Sequence, residues 1–216
     1  MLRLLLIFFS FLVITSCDPD RRQQMMISSP NVAIRALFAV NPDGTADYTV
    51  FWGSDTAIYT SPLGVKLTTG ESLMANLKLI DYSCWHVNKK WTSPENPNRQ
   101  MLDVHAELLI SLQRQSDQKP LVVRAKTFNG CMAFRYEMPI TDSIVIDTTL
   151  TGFRAYKQVD GDSSLYRSKK GQWIKRGKVA SIPHNNFSYT DWELIYISKN
   201  IEGTELPAVI QNLERQ

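Results

Sequence analysis

The sequence predicts an all-β chain built as a large antiparallel β-sandwich. Three observations carry this. From residue 29 onward apolar residues recur with period two, turn-forming pairs separate one such segment from the next, and no long amphipathic helical stretch interrupts them. The 216 residues suit one domain of about 150–200 residues once a targeting segment is set aside. With Gly 10 and Pro 10 the chain is neither collagen-like nor low-complexity, and 10% aromatics argue against disorder. A formal net charge of +3 is no electrostatic footprint for nucleic acid. A (β/α)₈ barrel needs about 250 residues, so this length leaves no room for one beside another domain.

Residues 1–16 read as an export signal: a basic start at Arg3, then an apolar run from Leu4 to Ile14 broken only by Ser10. The run is shorter than the roughly 20 residues that span a bilayer core. It ends in Ile14-Thr15-Ser16-Cys17, which resembles the lipobox of bacterial lipoproteins, whose cysteine is lipidated. The expectation is an exported chain anchored through Cys17 to a membrane, the outer membrane being the expected one. Residues 17–29 lack periodicity and read as a tether.

The sandwich is expected over residues 30–200. Val32 to Val40 alternates, Asn41-Pro42-Asp43-Gly44 turns the chain, and Tyr48, Val50 and Trp52 resume the pattern before Thr56–Tyr59. The clearest strand is Val104–Gln113. Val104, Ala106, Leu108, Ile110 and Leu112 form its apolar face, and His105 sits on the polar face, where solvation is expected. Leu121–Lys126 follows, Asn129-Gly130 signals a type I′ hairpin, and Cys131–Met138 alternates again. Ser143–Thr148, Phe153–Lys157, Gln172–Lys175 and Trp192–Ser198 complete about a dozen short strands. In residues 201–216, Leu206, Val209, Ile210 and Leu213 fit one short C-terminal helix behind a Thr204 cap.

Motifs that would announce chemistry are few. No nucleophile elbow, zinc-protease helix, phosphate-binding glycine loop or EF-hand loop occurs. His86, His105 and His184 are scattered over different segments, and an ordinary loop histidine accounts for His184. Cys84 and Cys131 read as two buried free thiols, with a disulfide between them as the alternative. Trp85 and Trp91 bracket Asn88-Lys89-Lys90 in a polar stretch without strand alternation, so a long loop is expected there. The two rings either pin that loop onto the sandwich or stack on sugar rings. Asp160, Asp162, Ser163 and Ser164 suggest either a cation site or a solvated hairpin tip, and hard cations usually take six or more oxygens.

Several segments, in this order and spacing, resemble the N-terminal domain of glycoside hydrolase family 97. They are Ser29-Pro30, Ser61-Pro62-Leu63-Gly64-Val65-Lys66-Leu67, the Trp85/Trp91 region, and above all residues 123–139 from Val123 through Asn129-Gly130 to Met138-Pro139. The resemblance implies a β-super-sandwich of galactose-mutarotase shape. It also implies a partnership with a (β/α)₈ barrel that carries the catalytic carboxylates, a calcium ion at the active site, and cleavage of α-glucosidic or α-galactosidic bonds. Such cleavage needs two positioned carboxyl groups. In the family one glutamate of this domain reaches the calcium, and the matching stretch Asp160–Tyr166 puts Ser163 at that position, a neutral and weaker ligand.

No catalytic or metal-binding residue is therefore carried over, and no cofactor is expected. The expectation is a lipid-anchored, non-catalytic, carbohydrate-associated sandwich, whose partners are the membrane and either a glycan or a barrel protein. One alternative is a truncated or split α-glycosidase with its catalytic barrel on another chain. A further one is an aldose epimerase, with His184 as acid and Glu193 as base, both needed within hydrogen-bond reach of the sugar.

Overall fold

The computed structural model describes residues 21–93, 96–139, 146–149, 151–159, 161, 164–179, 187–198 and 213. Fifteen strands run through them, paired antiparallel wherever they pair. The first four, β1 (Gln23–Ser28), β2 (Ile34–Val40), β3 (Ala46–Trp52) and β4 (Asp55–Pro62), form a meander in sequence order. The short β5 (Val65–Leu67) pairs with β10 (Ile146–Thr149) as a separate ribbon.

All the remaining strands belong to one large sheet. Its first four are β6 (Leu77–Ser93), β7 (Asn96–Arg114), β8 (Pro120–Phe128) and β9 (Cys131–Pro139). It continues with β11 (Lys157–Gln158), β12 (Leu165–Arg167), β13 (Trp173–Val179), β14 (Phe187–Tyr189) and β15 (Trp192–Ser198). Across the sheet the order is β11-β12-β13-β15-β9-β8-β7-β6, with β14 alongside β9. The two sheets pack face to face over one core, the sandwich arrangement the alternation predicts. Met25, Ile34, Phe38, Tyr48 and Val50 from the meander meet Leu108, Ile110, Val123, Phe134 and Tyr136 from the large sheet. Phe134 lies edge-on to Phe38 at 6.0 Å and to Tyr136 at 6.2 Å, and tilted against Tyr48 at 5.2 Å.

A polar strut ties the loops to this core. The Tyr136 hydroxyl shares a 2.7 Å hydrogen bond with Thr151 Oγ1 and accepts one from the Gly64 N–H at 3.2 Å. Tyr48 donates to the Gly152 carbonyl at 2.9 Å. Gly152 has no space for a side chain, because a Cβ there would lie 2.5 Å from Pro62 Cδ. Gly44 closes the β2–β3 turn with φ 75°, and a Cβ on it would meet the Asn76 backbone at 2.8 Å.

Several sequence expectations change. Residues 23–28, read as tether, form β1, whose Met25 and Ile27 are buried against β2. Three consecutive apolar residues, Met25-Met26-Ile27, show no alternation that would announce a strand. Val32 is not in a strand but in the tight turn before β2, with φ 58° and its N–H donating to the Ser29 carbonyl. Phe153–Lys157 holds a single bridge, Arg154 to Tyr59, with a strand only at Lys157–Gln158. The Asn129-Gly130 hairpin is not type I′, because Gly130 alone is left-handed there (φ 93°) while I′ requires both central residues to be. The expected C-terminal helix lies outside the described residues except for Leu213, which is helical and buried.

Candidate functional site

The face of the large sheet that points away from the core carries most of the polar side chains near its centre. Period two places Asp103, His105 and Glu107 together on that face of β7, Arg124 and Lys126 on β8, and Arg135 and Glu137 on β9. Register then brings them into contact. Glu107 stands opposite Lys126, and Arg124 stands opposite Arg135. Two arginines face to face repel each other unless carboxylates intervene. Here they do. Arg124 donates through Nε to Glu137 at 2.6 Å and pairs with Glu107, while Arg135 Nε donates to Glu137 at 2.9 Å.

His105 lies at the middle of this network and is fully buried, not solvated as its strand position suggests. Its Nδ1 is 2.7 Å from Asp103 and its Nε2 3.4 Å from Glu107, with the Phe128 ring 5.0 Å away. Burial opposes charge on the ring, but the bonds to Asp103 and Glu107 outweigh it and raise the pKa. For Glu107, burial is likewise outweighed by His105, Lys126 and Arg124, and its pKa falls to about 2. Lys126 is the exception. It is fully buried, its Nζ is 3.9 Å from Glu107 and 5.3 Å from the Trp192 ring, and among the described residues it makes no hydrogen bond. Desolvation therefore prevails and its pKa drops to about 8.

Trp85 and Trp91 border this network. The stretch expected to be a loop is β6, a 17-residue strand paired with β7 along its length. β8 pairs with β7 only from Ala106 to Gln113, so residues 86–93 and 96–105 project as a ribbon flanked by no other described strand. From Lys78 to Thr92 β6 is exposed or half-exposed on both faces, so it has no reason to alternate, which hid it in the sequence. Trp85 stands opposite Glu107, Val87 opposite His105, Lys89 opposite Asp103 and Trp91 opposite Met101. Both tryptophans thus share the face of the charged network, six residues or about 20 Å apart. Trp85 keeps 37% of its surface exposed, and Trp91 is half-buried.

Other singled-out residues are not gathered here. Glu193 is buried on the opposite, core-facing side, with Arg176 and Lys178 each 3.3 Å away. Cys17, Asp160, Asp162, Ser163 and His184 lie outside the described residues. Cys84 and Cys131 are both free, but Cys84 is exposed on β6 and not buried as expected; Cys131 is buried. Among the described residues no cluster of three or more His, Cys, Asp or Glu is placed to hold a metal, and no helix is long and apolar enough to cross a membrane. The buried ion network itself escaped the sequence reading. Its one signal was acidic and basic side chains repeating at i, i+2 on adjacent strands.

Fold and site together define a β-sandwich domain with a charged, tryptophan-edged sheet face. The pattern of the Glycosyl-hydrolase 97 N-terminal family matches residues 27–215, and the chain belongs to that family. Solved structures agree in fold. A glycoside hydrolase family 97 enzyme from Pseudoalteromonas sp. strain K8 in complex with panose is 18% identical, with a TM-score of 0.67. The enzyme from that strain in complex with acarbose is 17% identical, with a TM-score of 0.68. Each match covers 82% of this chain and 36% of the enzyme. A β-arabinopyranosidase matches at 16% identity and TM-score 0.65, over 82% of this chain and 40% of its own. No curated protein matches the chain.

Proposed function

We propose that this domain binds glycan on the outer face of its large sheet and serves carbohydrate processing without cleaving the bond itself. The placement of Trp85 and Trp91 on one row of β6, beside a fixed polar network, carries this reading. An aromatic ring covers the apolar C–H face of a sugar, while exposed polar side chains of the same strand, such as Lys89, take its hydroxyls. A spacing of about 20 Å suits an oligosaccharide of several rings better than a single sugar. The panose and acarbose held by similar enzymes make oligosaccharides the class to try first.

Glycosidic hydrolysis needs a carboxylic acid kept protonated near neutral pH and a second carboxylate across the bond. Glu107 is driven the other way, to a pKa of about 2, and Glu137 is clamped by Arg124 and Arg135. The cleavage step therefore belongs to a separate catalytic domain. Serine at position 163 favours glycan binding that is independent of calcium. Lipidation of Cys17 would hold the face near a membrane, where a diffusing glycan or a partner enzyme meets it.

Calorimetric titration with maltooligosaccharides, with and without a calcium chelator, tests this reading. Binding is expected in both conditions and is weakened about tenfold or more by Trp85→Ala. No sugar should be released from aryl α-glucosides or α-galactosides. Turnover by clean protein, or binding indifferent to both Trp85→Ala and Trp91→Ala, would overturn the proposal. A Cys17→Ser variant that still partitions with membranes would overturn the anchor alone.

A further inference from the structure

We propose that the free edge of the large sheet, β6, pairs with β6 of a second copy of this chain, about a two-fold axis at Trp85. The sheet ends at β6, and no other described strand pairs with its outer edge. An unpaired edge presents a row of backbone donors and acceptors that readily template another strand. This edge also carries exposed apolar side chains, with Tyr82 at 53% and Trp85 at 37%. A single bulge at Ile80 interrupts its start, and from Asp81 to Thr92 its pairing with β7 is regular.

Charge selects the partner and the register. Asp81 and Lys89 lie four residues either side of Trp85, on the same face of the strand. In an antiparallel two-fold pair centred on Trp85, Asp81 stands opposite the second copy's Lys89, and symmetry repeats the contact. Ser83 then meets Val87, Tyr82 meets Asn88, Cys84 meets His86, and the two Trp85 rings meet at the axis. Moving the centre to Cys84 instead sets Lys78 against Lys90, and centring on Val87 sets Trp85 against Lys89, leaving Asp81 without a cation. Only the Trp85 centre satisfies both charges. Because the axis runs perpendicular to the sheet, both outer faces end on the same side, forming one continuous surface. Pairing of this kind requires no glycan.

Light scattering on the full chain over a range of concentrations reads the oligomeric state. A concentration-dependent dimer is expected. Lys89→Asp should weaken it about tenfold or more, and the charge-swapped Asp81→Lys/Lys89→Asp double variant should restore it. In a Cys84→Ser background, Trp85→Cys should cross-link to itself on oxidation, since residues opposed at a two-fold axis can meet disulfide geometry. All these side chains lie on the exposed edge strand, and circular dichroism verifies the fold. A monomer at every concentration, a dimer indifferent to Lys89→Asp, a double variant that stays monomeric, or no self-cross-link would each overturn the proposal.

Discussion

Replacing Lys126 by methionine should make this protein more stable at neutral pH, although it removes a partner from an ion network. Lys126 is fully buried, and its Nζ makes no hydrogen bond among the described residues. Burial, only partly offset by Glu107 and Asp103, pulls its pKa from 10.5 to about 8. At about 1.4 kcal/mol per pH unit, charging it in the fold costs about 3 kcal/mol. Methionine keeps the length of the stem but forfeits the attraction to the Trp192 ring, about 1 kcal/mol. A net gain of about 2 kcal/mol follows. Its pH dependence carries a sign. Between pH 8 and 10.5 the unfolded lysine binds the proton that the folded one has released, so wild-type stability rises with pH through this window. The advantage of Lys126→Met should accordingly be full below pH 8 and fade toward pH 10.5. Urea unfolding of both proteins at pH 7 and at pH 10 measures it. A variant less stable than wild type at pH 7, or a difference that ignores pH, would refute the reasoning.

Glu107 should behave in the opposite sense. Its folded pKa of about 2 against 4.5 contributes about 3 kcal/mol above pH 4.5, lost progressively as the pH falls toward 2. Glu107→Gln should remove that acid limb from a plot of urea midpoint against pH, and lower the midpoint at pH 7. Tyr136→Phe deletes the hydroxyl shared with Thr151 and Gly64 and should destabilise by about 1–2 kcal/mol, read from the urea midpoint. Gly152→Ala drives a Cβ into Pro62 and should lower stability by about 1–3 kcal/mol, seen as a drop in Tm.

The parts of this fold legible in the sequence are those whose apolar residues alternate or run on unbroken. Buried and half-exposed side chains alternate from Leu108 to Arg114 and declare β7, whereas β15, buried on both faces, is legible as a near-continuous apolar run from Trp192 to Ser198. Alternation, however, says which residues share a face and not what lies over that face. The polar face of β7 therefore predicts a solvated His105, yet on its side of the sheet Leu213, Trp192, Leu194 and Phe128 build a second apolar cluster and the ring is buried. β6 fails for the converse reason: exposed on both faces, it has no dry side to mark. The tryptophans were visible as residues, but their common face with Glu107 and His105 exists only through the β6–β7 register.

That register gives a reason for the network to persist despite the penalty at Lys126. Side-chain period two means that a one-residue slip of β8 would turn Arg124 and Lys126 into the core and Val123 and Ala125 out of it. Glu107 bonds across to β8 through Arg124, and Glu137 receives Arg124 from β8 and Arg135 from its own strand. The charges thus pin β7, β8 and β9 in one alignment, and β6 inherits that alignment through its pairing with β7. A ribbon only two strands wide at its far end is a poor platform by itself, because an isolated hairpin is marginal in water. Anchoring its base to a register-locked sheet is what lets Trp85 and Trp91 hold a fixed spacing. Lys126→Met leaves Glu107, Arg124 and Glu137 in place, so it should raise stability without moving the tryptophans. Loss of Glu107 should instead loosen the alignment on which their spacing depends.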